Sequence, residues 1–272
     1  MSTRLSDALA LLAQEECTSA IRALRQAGDR HKAIHAARKA IRRLRCILAL
    51  GKSELGDELI PIDRSLKRVA LGLSTLRDAH VVIAAAEKLA GSDEVSKAWR
   101  KLAHKLRREC DRILSEALNA DPHFSKRCAR LCHLGSAIHA LPWRKVGEHA
   151  LTLSLKRTRR HVEESNQLFR QNPTAQNLHQ WRRCVRRLRL QLEVFEKLRH
   201  IINSHLGSAC AYAVMSMRSL AKLSDELGYQ QDLQILRRRL RTVADHSTLP
   251  YFRDHIRREL QTFKNNLYAQ RD

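Results

Sequence analysis

Apolar residues recur at every third or fourth position over long stretches of the chain, a spacing that places them on one side of an α-helix. In the segment 31–50 this apolar stripe consists of Ile34, Ala37, Ile41, Leu44 and Leu48. In the segment 174–199 it consists of Leu178, Trp181, Val185, Leu188 and Leu192. The two stripes predict two long helices, each with one side packed into a core.

The opposite side of each predicted helix is densely basic. In the first segment the basic residues span a sector of roughly 140° at 100° per residue, and they are His35, Arg38, Lys39, Arg42 and Arg43. In the second segment they are His179, Arg182, Arg183, Arg186 and Arg187. The positions match at an offset of 144, and the shared pattern H-x-x-R-[KR]-x-x-R-R-L-R also includes Arg45 and Arg189. No acid is interleaved on either face, so the like charges repel and an anionic ligand would relieve the repulsion.

A second and shorter echo lies downstream of each basic helix. The residues from Ser65 through Lys67, Arg68 and Arg77-Asp78 parallel those from Ser219 through Lys222 and Gln231-Asp232, at an offset of 154. Two matches in the same order indicate an internal duplication. We expect a first helical-bundle repeat over 1–120, a connector over 121–142 and a second repeat over 143–272. Asp78 and Asp232 are predicted to be N-caps of the helices that follow them.

Glycine, proline and aspartate clusters predict the breaks between helices. They fall near Gly28-Asp29, Gly51 to Pro61, Gly91-Ser92, Asp121-Pro122, Leu141-Pro142, Gln171 to Pro173, Gly228 and Leu249-Pro250. Aromatic residues, which are enriched in β-strands, are only 4% of the chain, and this low content argues against a β-sheet fold. The fold expected is therefore all-α, with antiparallel helical bundles packed side by side and the two basic helices brought together by a pseudo-two-fold relation.

Charge defines the class of partner. The chain has 51 Lys and Arg against 28 Asp and Glu, a net charge of +23, which attracts anionic polymers or surfaces. The N-terminal residues Met1–Ala20 resemble an amphipathic helix rather than a signal peptide. The longest stretch without Lys, Arg, Asp or Glu, His200–Met217, is too polar to span a bilayer. We therefore expect a cytoplasmic protein with no membrane partner.

The seven cysteines are an odd number scattered through helical pattern, which favours a reducing compartment over a disulfide framework. Cys128, Cys132 and His133 form the one cluster with a metal-like composition. Their spacing is that of one helical turn and no second ligand pair accompanies them, so small core residues are expected there. The sequence predicts neither a metal nor a cofactor.

The duplicated basic helix, together with the Arg77-Asp78-Ala79-His80-Val81 element, resembles the CHAD family, the conserved histidine α-helical domain. The resemblance covers nearly the whole chain. It implies a single domain over 1–272 that is built from two pseudo-symmetric antiparallel four-helix bundles, with basic residues lining a central groove or pore. It also implies non-catalytic binding of inorganic polyphosphate and association with polyphosphate granules.

The family's motif histidine falls on His35 and His179, and its later basic position falls on Lys67 and Lys222. Departures from the family pattern are His80, at a position that is usually acidic, and Gln231, which replaces Arg77 in the second copy. The Glu-x-Glu metal motif of the triphosphate-tunnel domain that many relatives carry is absent. The expected polyphosphate-binding residues are His35, Arg38, Lys39, Arg42, Arg43, Arg45, Lys67, Arg68, Arg77, His179, Arg182, Arg183, Arg186, Arg187, Arg189 and Lys222.

A phosphate chain presents closely spaced negative charges and no bases, so a receptor needs dense positive charge. Arginine donates in a planar fork to phosphate oxygens and keeps its charge at cellular pH. A bound polyanion would also favour the protonated form of His35 and His179, which we expect on opposite walls of a continuous channel. The simpler interpretations are solvated arginine faces and helix-terminal histidines. The Lys156–Arg160 run either extends the groove or faces water.

Three other functions fit parts of the sequence. A chain of this charge binds nucleic acid nonspecifically through phosphate contacts, although no recognised DNA or RNA motif is present. An enzyme acting on phosphate polymers needs clustered carboxylates for Mg²⁺ or a general base, and the chain has no Glu-x-Glu or Asp-x-Asp. A scaffold for an acidic protein partner is the third alternative. We expect no catalysis.

Overall fold

A computed structural model describes residues 4–90, 95–202 and 217–269. All regular elements in these ranges are helical, which confirms the predicted all-α class. The helices are α1 (Leu5–Arg25), α2 (Arg30–Leu50), α3 (Lys52–Leu55), α4 (Leu59–Gly72), α5 (Ser74–Leu89), α6 (Val95–Ala120), α7 (Ser125–His139), α8 (Glu148–Gln171), α9 (Ala175–Ile202), α10 (Met217–Val243) and α11 (Leu249–Ala269). Short 3₁₀ turns cover Gly56–Glu58, Pro122–Phe124 and Trp143–Lys145.

The two basic segments form α2 and α9, and both bury the predicted apolar stripe. Ile41 and Leu44 of α2 and Val185 of α9 have no exposed surface. Helix α2 begins after Asp29, whose carboxylate accepts hydrogen bonds from the backbone N–H groups of His31 and Lys32 at 3.1 and 3.0 Å. This N-cap satisfies donors that the first helical turn leaves unpaired. The basic residues are therefore held on rigid helices.

The chain divides into two compact units. The first unit contains Met1–Ser74 and Ala120–Ser224, and the second contains Thr75–Asn119 and Asp225–Asp272. These units do not coincide with the predicted repeats 1–120 and 143–272, because each unit takes helices from both halves of the sequence. In the first unit α1 packs against α2, α7 and α9, so the two basic helices share one core. The duplication itself stays a prediction.

The segment predicted as a connector, 121–142, contains α7. This helix packs on α1, where the Cys17 thiol donates a hydrogen bond to the Leu131 carbonyl at 3.4 Å. Cys128 is buried as expected, but Cys132 and His133 are exposed, which corrects their assignment to the core. The described residues contain no group of three or more His, Cys, Asp or Glu arranged to hold a metal ion.

The second unit packs α5, α6, α11 and the part of α10 from Asp225 onward around an apolar core. Trp99 lies at its centre with no exposed surface. Its ring lies 4.5 Å from that of Phe252, centroid to centroid, and its Nε1–H donates to His255 Nδ1 at 3.1 Å. Arg239 and Glu109 form an ion pair at 3.0 Å between α10 and α6. Ring burial and paired polar groups thus hold this unit together.

Asp78 and Asp232 are not N-caps. They lie inside α5 and α10, because these helices begin earlier, at Ser74 and Met217. Arg77 bridges the two aspartates, with Nη1 3.1 Å from Asp78 Oδ1 and Nη2 3.0 Å from Asp232 Oδ1. The ends of the two downstream echoes, at Arg77-Asp78 and at Asp232, therefore contact each other within the second unit.

Most predicted helix breaks are present, but Gly228 lies inside α10 without ending it. A glycine costs an interior helical position only about 1 kcal/mol, which surrounding packing can offset. The break at Leu73, between α4 and α5, was not predicted. The predicted break at Gly91-Ser92, most of the uncharged stretch His200–Met217 and Cys210 lie outside the described residues.

No single helix in the described ranges is both long and apolar enough to cross a membrane. A bent pair of helices, over 52–72 and 74–89, passes the same test by length and composition when the two are taken together. Within this pair Leu66 and Val82 are buried in the protein, whereas Ile60 and Leu71 are exposed.

Candidate functional site: a basic cleft in the first unit

Positive charge is concentrated in the first unit. Its sequence contains 33 Lys and Arg and 14 Asp and Glu, a net charge of +19 (33 minus 14). The second unit contains 18 and 14, a net charge of +4 (18 minus 14). An anionic polymer is therefore attracted mainly to the first unit.

A cleft of about 290 Å³ lies between α2, α8 and α9 in this unit. Its lining residues are Arg42, Arg45, Cys46, Thr158, His161, Gln180, Arg183, Cys184, Arg186, Arg187 and Leu190. Five of them are arginines, contributed by both basic helices, and no described lining residue is acidic. We call this feature the arginine cleft. It brings together five arginines that the sequence nominated, among which Arg42 and Arg186 occupy equivalent positions in the two copies of the motif.

The Cys46 thiol lies within the field of both helices. Burial raises its pKa to about 11, although the charges of Arg187, Arg186, Arg45 and Arg42 act in the opposite direction. These four guanidinium groups belong to both basic helices, α2 and α9. Such a convergence of like charge is costly for the free protein and favours binding of an anion.

Helix α8 completes the cleft with Thr158 and His161, neither of which was among the predicted site residues. The neighbouring Lys156–Arg160 run was the one signal in the sequence that pointed to this helix. The charged residues of that run do not line the cleft. Arg159 and Arg160 instead pair with Glu163 and Glu164 one turn later, at 3.2 and 2.8 Å.

Several motif arginines bind other parts of the protein. Arg38 donates to the Ala70 carbonyl, and to Ser74 Oγ at 2.8 Å, which joins α2 to the end of α4. Arg43 pairs with two acids, with its Nη1 3.9 Å from Glu16 Oε1 and its Nε 3.9 Å from Glu193 Oε2. These arginines position the basic helices.

Arg45 lines the arginine cleft and also forms a forked pair with Asp63 on α4. Its Nε lies 2.6 Å from Oδ1 and its Nη2 3.0 Å from Oδ2. Arg189 does not line the cleft, and its Nε lies 3.4 Å from Oε1 of Glu193. Three acids therefore oppose basic residues that had no acidic neighbour in the sequence pattern, namely Glu16, Asp63 and Glu193.

Comparisons with known proteins agree with this architecture. A family model for the CHAD domain matches residues 12–241. The chain belongs to the CHAD domain family. A crystal structure of the CHAD domain from the plant Ricinus communis has the same fold, with a TM-score of 0.65 and 18% identity over 96% of this chain and 88% of that chain. A comparison with curated proteins found no significant match. CHAD domains are helical, are associated with polyphosphate binding in general and are not known as catalytic.

The remaining predicted residues of this CHAD domain lie outside the arginine cleft. His35, Lys39 and Arg182 are on the basic helices but do not line it, and neither does the exposed His179. Lys67 on α4 and Lys222 on α10 are exposed. Arg68 lines a different pocket, and Arg77 is paired within the second unit. A role for these residues in ligand binding, including that of the two histidines, stays a prediction.

The protonation of Glu16 on α1 offers a test of how this helix packs against the two basic helices. It is 7% exposed, and burial raises its pKa, although Arg43 and Lys197 act to lower it. The folded protein thus binds a proton at Glu16 more readily than the unfolded chain, so acidification stabilises the fold through this group. We expect the free energy of unfolding of wild type, relative to Glu16→Gln, to rise as the pH falls from neutrality, measured by chemical denaturation. A fall in this difference would show that the pairs with Arg43 and Lys197 outweigh burial.

Proposed function

We propose that this CHAD domain binds inorganic polyphosphate in the arginine cleft without turning it over. The observation that carries the proposal is the convergence of five arginines from α2 and α9 in one cleft whose described lining has no acid. Guanidinium groups donate pairs of hydrogen bonds to phosphate oxygens and cannot lose their charge at cellular pH. A linear phosphate chain matches such a lining because it presents anionic oxygens along its length.

Nucleic acids are less suited to the cleft. Proteins that bind single strands stack bases on exposed aromatic rings. Trp99, Trp143 and Trp181 are between 0% and 5% exposed, so none of them offers a stacking surface. The lining supplies charge and small polar groups, which favours a ligand that is all phosphate.

A binding role without catalysis fits the same lining. Hydrolysis of a phosphoanhydride commonly uses Mg²⁺ held by carboxylates, or a general base beside the attacking water. The described lining has no Asp or Glu, and His161 is its one histidine. We propose accordingly that the protein retains polyphosphate and associates with polyphosphate granules in the cytoplasm.

Cysteine footprinting tests the location of the ligand. Cys184 lines the arginine cleft and is partly exposed, whereas Cys132 on α7 is exposed and lies outside it. We expect long-chain polyphosphate to slow alkylation of Cys184 and to leave that of Cys132 unchanged, as followed by mass spectrometry of the labelled peptides. Equal rates for Cys184 with and without polyphosphate, under conditions in which the polymer is bound, would exclude the cleft as the binding site.

A further inference from the structure

A second basic pocket lies elsewhere in the first unit, between the end of α4 and the start of α7. Its volume is about 360 Å³. Its lining residues are Arg68, Val69, Gly72, Ala120, Asp121, Lys126, Arg127 and Arg130. Four of these side chains are basic and one is acidic. We call this feature the α4–α7 patch.

The carboxylate of Asp121, the single acid in the lining of the patch, is already paired with other groups of the protein. Asp121 is 4% exposed, and its Oδ2 lies 2.5 Å from Nη1 of Arg127. Its Oδ1 accepts from the Lys126 backbone N–H at 2.9 Å and from Ser125 Oγ at 3.4 Å. Asp121 therefore fixes Arg127 and the first turn of α7, and it leaves the positive charge of the other side chains unopposed.

Arg68 and Arg130 supply that unopposed charge. Both are exposed, and neither has a carboxylate partner among the described residues. Lys126 adds a third charge, with its Nζ donating to the Ala120 carbonyl at 3.1 Å. Two exposed guanidinium groups and an ammonium group around the paired Arg127 form a lining that suits phosphate oxygens.

The α4–α7 patch is connected to the arginine cleft through α2 and α4. Arg38 lies one turn, about 6 Å, before the cleft residue Arg42 along α2. Arg38 donates to Ala70 and Ser74, which flank Gly72 at the end of α4. The Gly72 carbonyl in turn accepts from Arg127 Nη2 at 3.4 Å. Adjacent elements of one compact unit thus link the two basic surfaces.

We infer that the α4–α7 patch is a second binding site for the phosphate chain, which a long polymer occupies together with the arginine cleft. This inference rests on the proposed function. When one polymer binds two sites, the second contact is intramolecular, so the affinity for long chains exceeds that for chains too short to reach both sites. The patch then makes the protein selective for chain length.

The test compares tripolyphosphate with long-chain polyphosphate on three variants of the full chain. The patch variant is Arg68→Ala with Arg130→Ala, and the cleft variant is Arg42→Ala with Arg186→Ala. The control is Arg64→Ala with Arg157→Ala, which removes two exposed arginines of the same unit that line neither surface. We expect the patch variant to bind long chains about tenfold more weakly than the control and to bind tripolyphosphate equally well.

The possible outcomes separate the two proposals. Equal long-chain affinity in the patch and control variants would overturn the second site, whatever the cleft variant does. Unchanged affinity for both probes in the cleft variant would overturn the proposed function of the cleft. If the patch variant alone lost affinity for both probes, the patch would be an independent receptor and the chain-length inference would be wrong. Labelling of the Lys126 amine gives a second readout, because we expect protection by long chains and none by tripolyphosphate.

Discussion

The cleft variant Arg42→Ala with Arg186→Ala is expected to bind long-chain polyphosphate about 100-fold more weakly than wild type. Each hydrogen bond to a charged group contributes about 1.5–3 kcal/mol. Two lost contacts at the lower value amount to about 3 kcal/mol, which corresponds to about 100-fold in affinity. The two arginines come from α2 and α9, so the variant removes one charge from each of the two basic helices. Isothermal titration calorimetry at fixed salt measures the change.

The matched comparison for this variant is again Arg64→Ala with Arg157→Ala. Both double variants lower the net charge by the same amount, so a contribution from the overall field of the protein affects them equally. We expect the control to lose no more than a few-fold in affinity. If the two variants lost affinity to the same extent, general charge rather than the arginine cleft would account for binding.

Trp99→Ala is expected to produce the largest loss of stability. Trp99 has no exposed surface and packs against Phe252 and His255 in the core of the second unit. Truncation of a buried large aromatic side chain to alanine typically costs about 3–5 kcal/mol, and whole domains are stable by only about 5–15 kcal/mol. Denaturant titrations followed by far-UV circular dichroism will report the shift in the unfolding transition.

Trp99→Phe separates ring burial from the hydrogen bond of the indole. This variant keeps an aromatic ring but cannot donate to His255 Nδ1, so we expect it to cost about 1–2 kcal/mol. A loss for Trp99→Ala that is no larger than the loss for Trp99→Phe would mean that ring burial contributes little to the second unit. That result would contradict the description of its core.

Helical periodicity predicted α2 and α9 well. The residues nominated as apolar stripes, from Ile34 to Leu48 and from Leu178 to Leu192, are all buried. Prediction succeeded because the positions of side chains around a helix follow from the helical repeat alone. The same periodicity put Arg42, Arg183, Arg186 and Arg187 on the polar side, where the structure finds the cleft.

The role of each individual arginine was not predictable from the sequence. Whether an arginine faces the cleft or pairs inside the protein depends on carboxylates that lie outside the repeated motif. Glu193 accepts both Arg43 and Arg189, and Asp63 holds Arg45. A sequence repeat reveals none of these partners, because Asp63 comes from another helix and Glu193, four residues after Arg189 on α9, has no counterpart in the first copy. His161 was missed for the same reason, since α8 has no counterpart in the motif.

The division into units was also beyond the sequence pattern. A duplication suggests that each repeat folds on itself, whereas the first unit combines residues 1–74 with residues 120–224. Helices α1, α2 and α9 share one core, so α2 and α9 are brought together inside one unit. This packing is what creates the cleft from two copies of one motif.

A competition at about 0.15 M salt separates preferential binding of polyphosphate from general attraction of anions, because exposed charges are then screened beyond roughly 8 Å. Labelled long-chain polyphosphate bound to the wild-type protein is displaced with duplex DNA, with single-stranded RNA or with unlabelled polyphosphate. We expect polyphosphate to displace the label at concentrations, per phosphate, at least tenfold below those of either nucleic acid, and we expect the cleft variant to lose this preference. Displacement by nucleic acid at equal or lower concentrations, unaffected by Arg42→Ala with Arg186→Ala, would contradict this expectation and indicate a nonspecific nucleic-acid-binding protein.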